Sequence, residues 1–312
     1  MTPLPVISVI MPAYNARDTI AASIQSLQAQ TLKNWELIIV DDGSPDDTAA
    51  IALAMAEKDA RICVVQRPNS GPSIARNRGV DLARADLIAF LDADDFWAPE
   101  RLLGVLSLFD GDPSVGVAFS RTRFVDDPSL KLGTLTPHKS SLSVVDLMAE
   151  NAVCSTSNIV CLKSVFERTG GFTPGLDYAE DQDWLLRVAL EGKCRIVGVD
   201  AEWFFYRSSS HSQSADLGAM RDGWIQMVGA ACIDYPEKAA CAAREAYGPY
   251  HRQLARRAIR MHDARAGLKY ILAALRHDPL LIFRQPGRTS LTLAGVLITF
   301  IPNAKLKELA AR

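Results

Sequence analysis

The chain has 312 residues, 48% of them hydrophobic and 22% charged, with a formal net charge of −2. That balance excludes disordered, collagen-like and low-complexity classes, and at about 150 residues per domain it suggests about two globular domains. The charge is uneven: residues 251–312 carry +9 and residues 1–250 carry −11, so a basic tail and an acidic body are expected to meet different partners.

Residues 6–11 (VISVIM) form a short β-branched run that reads as a buried strand. A helix follows over about 19–28, with Asp18 or Thr19 as its cap. LIIV at 37–40 is the second strand, and Asp41-Asp42-Gly43-Ser44 is the loop after it. Asp47 or Thr48 caps a helix through Met55 toward Asp59, and residues 62–66 read as a third strand. Pro72 and Ser73 open a helix to about Ala83. LIAFL at 87–91 is the fourth strand and runs into Asp92-Ala93-Asp94-Asp95. Pro99 suits the first turn of the next helix, and residues 115–120 are a fifth strand. Short apolar strands alternating with helices predict a mostly parallel sheet flanked by helices. Ligands of such sheets bind at the carboxyl ends of the strands, so the polar clusters at 12–15, 41–44 and 92–95 should share one edge.

The section 124–214 is less regular. It holds Gly170-Gly171-Phe172, a helix opened by Glu180-Asp181 and running to about Glu191, a strand near 195–199, and Tyr206-Arg207 before a Ser/His-rich loop. From Asp216 the pattern turns helical. Leu254, Ala258, Ile259 and Met261, then Leu268, Ile271, Leu272 and Leu275, predict two or more amphipathic helices closed by Pro279. The six cysteines contain no CxxC pair and read as reduced, mostly buried thiols of a cytosolic protein. No secretory signal is read at the start, where the first charge is Arg17 and Pro12 cuts the first apolar run short. No uninterrupted run reaches the ~20 apolar residues of a spanning helix.

Asp92 and Asp94, two apart after a buried strand, can share a divalent cation that binds phosphate oxygens; an acidic turn before Pro99 is the plainer reading. Asp41 and Asp42 can accept hydrogen bonds from a ribose hydroxyl or a base N–H, or simply build a turn. Glu180 and Asp181 suit a helix N-terminus electrostatically, and either can serve as a general base. Arg76, Arg78, Arg207, His211 and Ser214 supply basic and hydroxyl groups suited to a diphosphate. GxGxxG, GxxxxGK[ST], HExxH and GxSxG are absent, which argues against dinucleotide enzymes, P-loop NTPases, zincins and common hydrolases. Nucleic acid is not an expected partner.

VISVIMPAYNA (6–16), LIIVDDGSPDDT (37–48), GPSIARNRGV (71–80), LIAFLDADD (87–95), GGF (170–172) and EDQDWLLR (180–187), in that order, resemble the family-2 glycosyltransferases. YRSSSHSQS (206–214) is similar to that family's arginine–histidine–serine loop, with a longer gap between Arg207 and His211. The resemblance covers about residues 5–214. It implies a GT-A type α/β fold over residues 1–215, followed by a helical C-terminal extension over 216–312. It also implies a nucleotide-sugar donor, UDP-sugar foremost, a magnesium or manganese ion, and inversion at the anomeric carbon. On this resemblance Pro12, Tyr14 and Asn15 line the nucleotide pocket, and Asp41 or Asp42 contacts base or ribose. Arg76 lies near sugar or diphosphate, Asp92 and Asp94 hold the metal with Asp94 as direct ligand, and Asp181 is the catalytic base. Arg207 and His211 close over the diphosphate. The expected activity is sugar transfer to a glycan or lipid-linked acceptor in cell-surface or exported polysaccharide synthesis. A nucleotidyltransferase and a non-catalytic sugar- or partner-binding scaffold of the same fold are the rivals.

The tail contains LTLAGVLITFI (291–301), with Arg284 and Arg288 before it and Lys305 and Lys307 after it. Eleven residues make about half a bilayer span. The segment reads as a buried helix or as an interfacial anchor on an anionic membrane. The second reading implies a cytoplasmic protein peripheral on the inner face of the cell membrane.

Overall fold

The computed structural model describes residues 4–125, 133–176, 178–207 and 216–301. The predicted alternation is present. It runs β1 (Ile7–Ala13), α1 (Ile20–Gln28), β2 (Trp35–Asp41), α2 (Thr48–Ala56), β3 (Ile62–Gln66), α3 (Pro72–Leu82), β4 (Leu87–Phe90), β5 (Phe96–Trp97), α4 (Arg101–Gly111) and β6 (Val115–Val125). Then come α5 (Val144–Ala149), a 3-10 turn (Thr156–Asn158), β7 (Val160–Leu162), α6 (Lys163–Arg168), α7 (Glu180–Glu191) and β8 (Arg195–Arg207). The chain continues through α8 (Leu217–Asp234), α9 (Pro236–Arg260), α10 (Ala264–His277), α11 (Leu281–Arg284) and α12 (Pro286–Thr299).

One eight-stranded sheet is ordered β3-β2-β1-β4-β7-β6-β8-β5. Strands β3, β2, β1 and β4 are parallel neighbours, and the mostly apolar β2, β1 and β4 are buried on both faces. β7 then enters antiparallel between β4 and β6, and β5 runs antiparallel along β8. The sheet is therefore mixed. The three residues of β7 and the two of β5 are too short to leave a periodic signal. The strand expected at 195–199 extends to Arg207, because β8 stays paired with β6 through two register irregularities. Tyr206 and Arg207 thus end a strand rather than open a loop.

Packing divides the chain into two units, one from Met1–Leu142 and Val153–Ser209, the other from Ser143–Ala152 and Ser210–Arg312. The first holds the sheet. The second is helical and takes α5 from the middle of the sequence. There Trp224 Nε1 donates to Met148 O at 2.6 Å and Arg288 pairs with Glu150 at 3.1 Å. None of the six cysteines is paired, but only Cys161 is buried; Cys63 and Cys241 are exposed. The expectation of mostly buried thiols is corrected on that point. Cys63 lies on β3, whose alternate residues meet solvent at the sheet edge.

Candidate active site

The parallel strands end together. Ala13 pairs with Asp41, Asp42 donates its N–H to Ala13 O at 2.9 Å, and Leu91 donates to Ile10 O at 3.0 Å. The clusters at 12–15, 41–44 and 92–95 therefore share the carboxyl edge, where such sheets bind ligands. Pro12 is half-buried at the end of β1, and Tyr14 stands exposed beyond it. Asn15 takes a left-handed φ of 52° and donates its N–H to Ser44 Oγ at 3.1 Å.

Asp41 and Asp42 are both buried but differ in what they hold. Asp42 accepts from Ser70 N, Ser70 Oγ and Gly71 N, the last at 2.8 Å, and lies 3.5 Å from Arg67 Nε. It fastens the loop that starts α3. Asp41 Oδ1 has no hydrogen-bond donor against it among the described residues. A buried carboxylate oxygen without a donor is costly, so Asp41 is the one of the pair with acceptor capacity to spare.

Helix α3 presents Arg76 to the edge. Its neighbour Gly79 is required by packing: a Cβ there would meet Ile10 Cγ2 at 2.3 Å, so only glycine lets α3 lie this close to β1. Arg76 is buried. Its Nη2 donates to Asp92 Oδ1 at 2.7 Å and its Nη1 to Glu180 Oε1 at 3.2 Å. Burial alone would weaken its charge, but Asp92 and Glu180 outweigh burial and hold its pKa above the ordinary value. Asn77 next to it donates to Phe172 O at 2.8 Å and accepts from Phe172 N at 3.0 Å.

Those contacts explain the Gly-Gly-Phe triplet. Gly170 and Gly171 have φ of 82° and 66°, a left-handed backbone open mainly to glycine. The turn delivers Phe172 into a cluster with Phe90, Phe166 and Trp184, and Arg76 lies 5.8 Å from its ring centroid. A fully buried side chain of this kind contributes roughly 1.5–3 kcal/mol. Helix α7 begins beside it at Ala179, which has a φ of 67° and offers no capping side chain. Glu180, Asp181 and Asp183 fill the first turn instead, where carboxylates complement the helix dipole. Asp181 is buried, and its Oδ1 accepts Gln182 N at 2.7 Å. Burial lifts Glu180 to about 7, with Arg76 opposing and the Asp181 charge adding to the rise.

The acidic loop after β4 rests on the 3-10 turn. Asp92 N donates to Ser157 Oγ at 2.9 Å, and Ser155 Oγ reaches Asp92 Oδ2 at 3.3 Å and Asp95 Oδ2 at 3.4 Å. Beneath the turn lies Arg101, fully buried, donating to Ser120 Oγ at 2.9 Å, Asn158 Oδ1 at 3.2 Å and Ser157 O at 3.4 Å. Burial lowers its pKa to about 9. The sequence reading missed Ser155, Ser157, Asn158 and Arg101. The only sequence signal was the polar run at 155–158 ahead of an apolar triplet.

Arg207 closes the far side of the loop. Its Nε donates to Asp94 O at 2.9 Å, its N–H donates to Asp95 Oδ1 at 3.1 Å, and its buried Nη2 has no acceptor among the described residues. His211 and Ser214 lie outside the described residues. Asp94 reaches solvent, yet the surrounding protein and then the Asp92 charge push its carboxyl up to about 6. Asp95 is raised well above the usual carboxylate range by burial and by both neighbours. Burial is the larger cause in both, and the neighbouring carboxylates add to it. Among the described residues no group of three or more His, Cys, Asp or Glu side chains could by itself hold a metal. The fit is to a cation held by one or two carboxylates and completed by substrate phosphates and water, the mode hard divalent ions favour.

The family model described as Glycosyl transferase family 2 matches residues 8–170. An Escherichia coli UDP-Glc:alpha-D-GlcNAc-diphosphoundecaprenol beta-1,3-glucosyltransferase, WfaP, is 33% identical over 181 residues, covering 58% of this chain and 68% of that protein. The crystal structure of S. aureus TarS 1-349 in complex with UDP-GlcNAc superposes with a TM-score of 0.65 at 17% identity, covering 97% of this chain and 90% of that one. A Pyrobaculum calidifontis mannosyltransferase in complex with GDP-Man and Mn2+ gives 0.62 at 18% identity, covering 99% and 86%. The fold is that of the GT-A type glycosyltransferases. The chain belongs to the family-2 glycosyltransferases.

Proposed function

We propose that this enzyme is an inverting, metal-dependent glycosyltransferase that moves a sugar from a UDP-sugar to a glycan or lipid-linked acceptor in exported polysaccharide synthesis. The observation that carries the reading is Arg76. It touches Asp92 on one side and Glu180, next to Asp181, on the other, so carboxylates from two distant stretches meet at one cation supplied by a third. The donor class and acceptor type follow the relatives: WfaP is named for UDP-Glc and a diphosphoundecaprenol acceptor, and the TarS structure holds UDP-GlcNAc. The proposed site of work is the inner face of the cell membrane, where an acceptor on a lipid carrier would be met.

In the proposed mechanism Asp41 accepts a hydrogen bond from the base or ribose, with Pro12, Tyr14 and Asn15 around the nucleotide. Asp94 and Asp92 would hold magnesium or manganese, which when bound would neutralise charge on the leaving diphosphate. Arg207, through Nη2, is a donor for the same phosphates, with His211 as its proposed companion. The acceptor hydroxyl oxygen attacks the anomeric carbon from the face opposite the diphosphate. The carbon–oxygen bond to phosphate breaks with its electron pair on the nucleoside diphosphate, and Asp181 takes the hydroxyl proton. One displacement inverts the centre.

A transfer assay across UDP-sugars with manganese tests this. The expected products are UDP and an inverted glycoside, with UDP affinity that rises on adding manganese in wild type and not in Asp94→Asn. Pyrophosphate as product points to a nucleotidyltransferase, and turnover of Asp94→Asn equal to wild type removes Asp94 from the metal.

A further inference from the structure

Helix α12 is built inside out. Its buried face is Thr289, Thr292, Gly295, Val296 and Thr299, while Leu291 is 75% and Leu297 66% exposed. Burying threonine and exposing leucine reverses the usual preference. The inward hydroxyls are satisfied locally: Thr292 Oγ1 donates to Arg288 O at 2.8 Å and Thr299 Oγ1 to Val296 O at 2.6 Å. The inward face is therefore settled without the leucines. Phe300 and Ile301 continue the apolar surface beyond α12, and Leu280 and Phe283, the latter 77% exposed, lie just before it.

Charge identifies what covers this surface. Residues 264–301 contain five Lys or Arg and one acid, Asp278. Asp278 is buried and paired to Arg284 at 2.6 Å, so it offers no exposed counter-charge. On α10, Arg265, Leu268, Lys269, Leu272 and Arg276 are all exposed at helical spacing, interleaving cations with leucines. Two copies of such a surface repel each other, whereas an anionic bilayer satisfies both its apolar and its basic parts. No described helix is long and apolar enough to cross a membrane, and the 14 residues of α12 span ~21 Å against a hydrocarbon core of ~30 Å.

We infer that the outward apolar residues of α12 and of the turn before it, with the basic residues around them, form a docking surface for an anionic lipid bilayer that lies on the membrane rather than spanning it. The inference stands on the surface of the helical unit and not on sugar transfer.

The test is co-sedimentation of the full chain with phosphatidylcholine vesicles, with and without phosphatidylglycerol. Binding is expected to need phosphatidylglycerol and to weaken with salt. Leu291→Ser combined with Leu297→Ser is expected to lower the partition coefficient about tenfold or more, while UDP affinity and helical circular dichroism stay at wild-type values. Wild-type protein left in the supernatant with anionic vesicles overturns the inference, as does a double variant that binds them equally well. A wild-type dimer in light scattering that the double variant dissolves assigns the surface to a second copy instead. Vesicle binding without sugar transfer leaves the docking surface standing and refutes the transferase reading.

Discussion

The Arg76 guanidinium sits 2.7 Å from Asp92 and is itself buried. One cation from α3 therefore neutralises part of the acidic loop after β4, and its other nitrogen holds the start of α7. Arg76 in this arrangement is a clamp between carboxylates more than a free donor for a diphosphate.

Arg76→Met should leave the half-buried Asp92 and Glu180 without their partner. Removing one member of a fully buried ion pair costs roughly 3–5 kcal/mol, and the partial exposure of both acids should hold the loss here below that range. Urea denaturation should show that loss, and UDP affinity should fall with it. A variant as stable as wild type would mean the ion pairs contribute nothing net.

Asp181→Asn should keep the α7 N-terminus, since an amide oxygen can still accept Gln182 N. Turnover should fall by about 10²–10⁴, the usual contribution of a general base. UDP affinity should not change. Turnover within a few-fold of wild type would move the base role elsewhere, with Glu180 the adjacent candidate.

Asp41 and Asp42 should separate cleanly. Asp42→Ala strands the Ser70 and Gly71 N–H groups and should cost about 1–3 kcal/mol of stability. Asp41→Asn breaks no described hydrogen bond, so stability should hold while UDP binding weakens about tenfold, or ~1.4 kcal/mol. Calorimetry on both variants checks this, and the reverse pattern would exchange their roles.

Glu180 gives a pH signature. Its carboxyl rises from 4.5 to about 7 in the folded protein, so the fold favours its protonated form. Its contribution to stability is fully present below 4.5 and is lost as pH climbs through about 7. Glu180→Gln mimics the protonated form and still offers Arg76 an oxygen. Its Tm should match wild type at about pH 5 and exceed it at about pH 8. Equal differences at both values would exclude a Glu180 that titrates near neutral pH.

Much of the sheet half was legible because its signals are local. VISVIM, LIIV and LIAFL are short apolar strands followed at once by polar residues, and a parallel sheet puts such ends on one edge. β7 and β5 were not legible, since two or three residues hold no periodicity and take their strand state from neighbours. The same limit hid Arg101 and the turn at 155–158. A lone arginine after Pro99 reads as a surface cation, and only the packing of α4 against β6 buries it.

Residue order alone fixed the alternating architecture, the carboxylates at strand ends and helix starts and the basic tail, since each depends on chemistry within a few positions. Tertiary structure decided that Asp42 is consumed by the α3 loop while Asp41 keeps an open oxygen. It also joined Asp92 to Glu180 through Arg76 and turned Leu291 and Leu297 of α12 outward. Those outcomes depend on which distant groups meet in space, and hydrogen-bond capacity spent on one partner is unavailable to another.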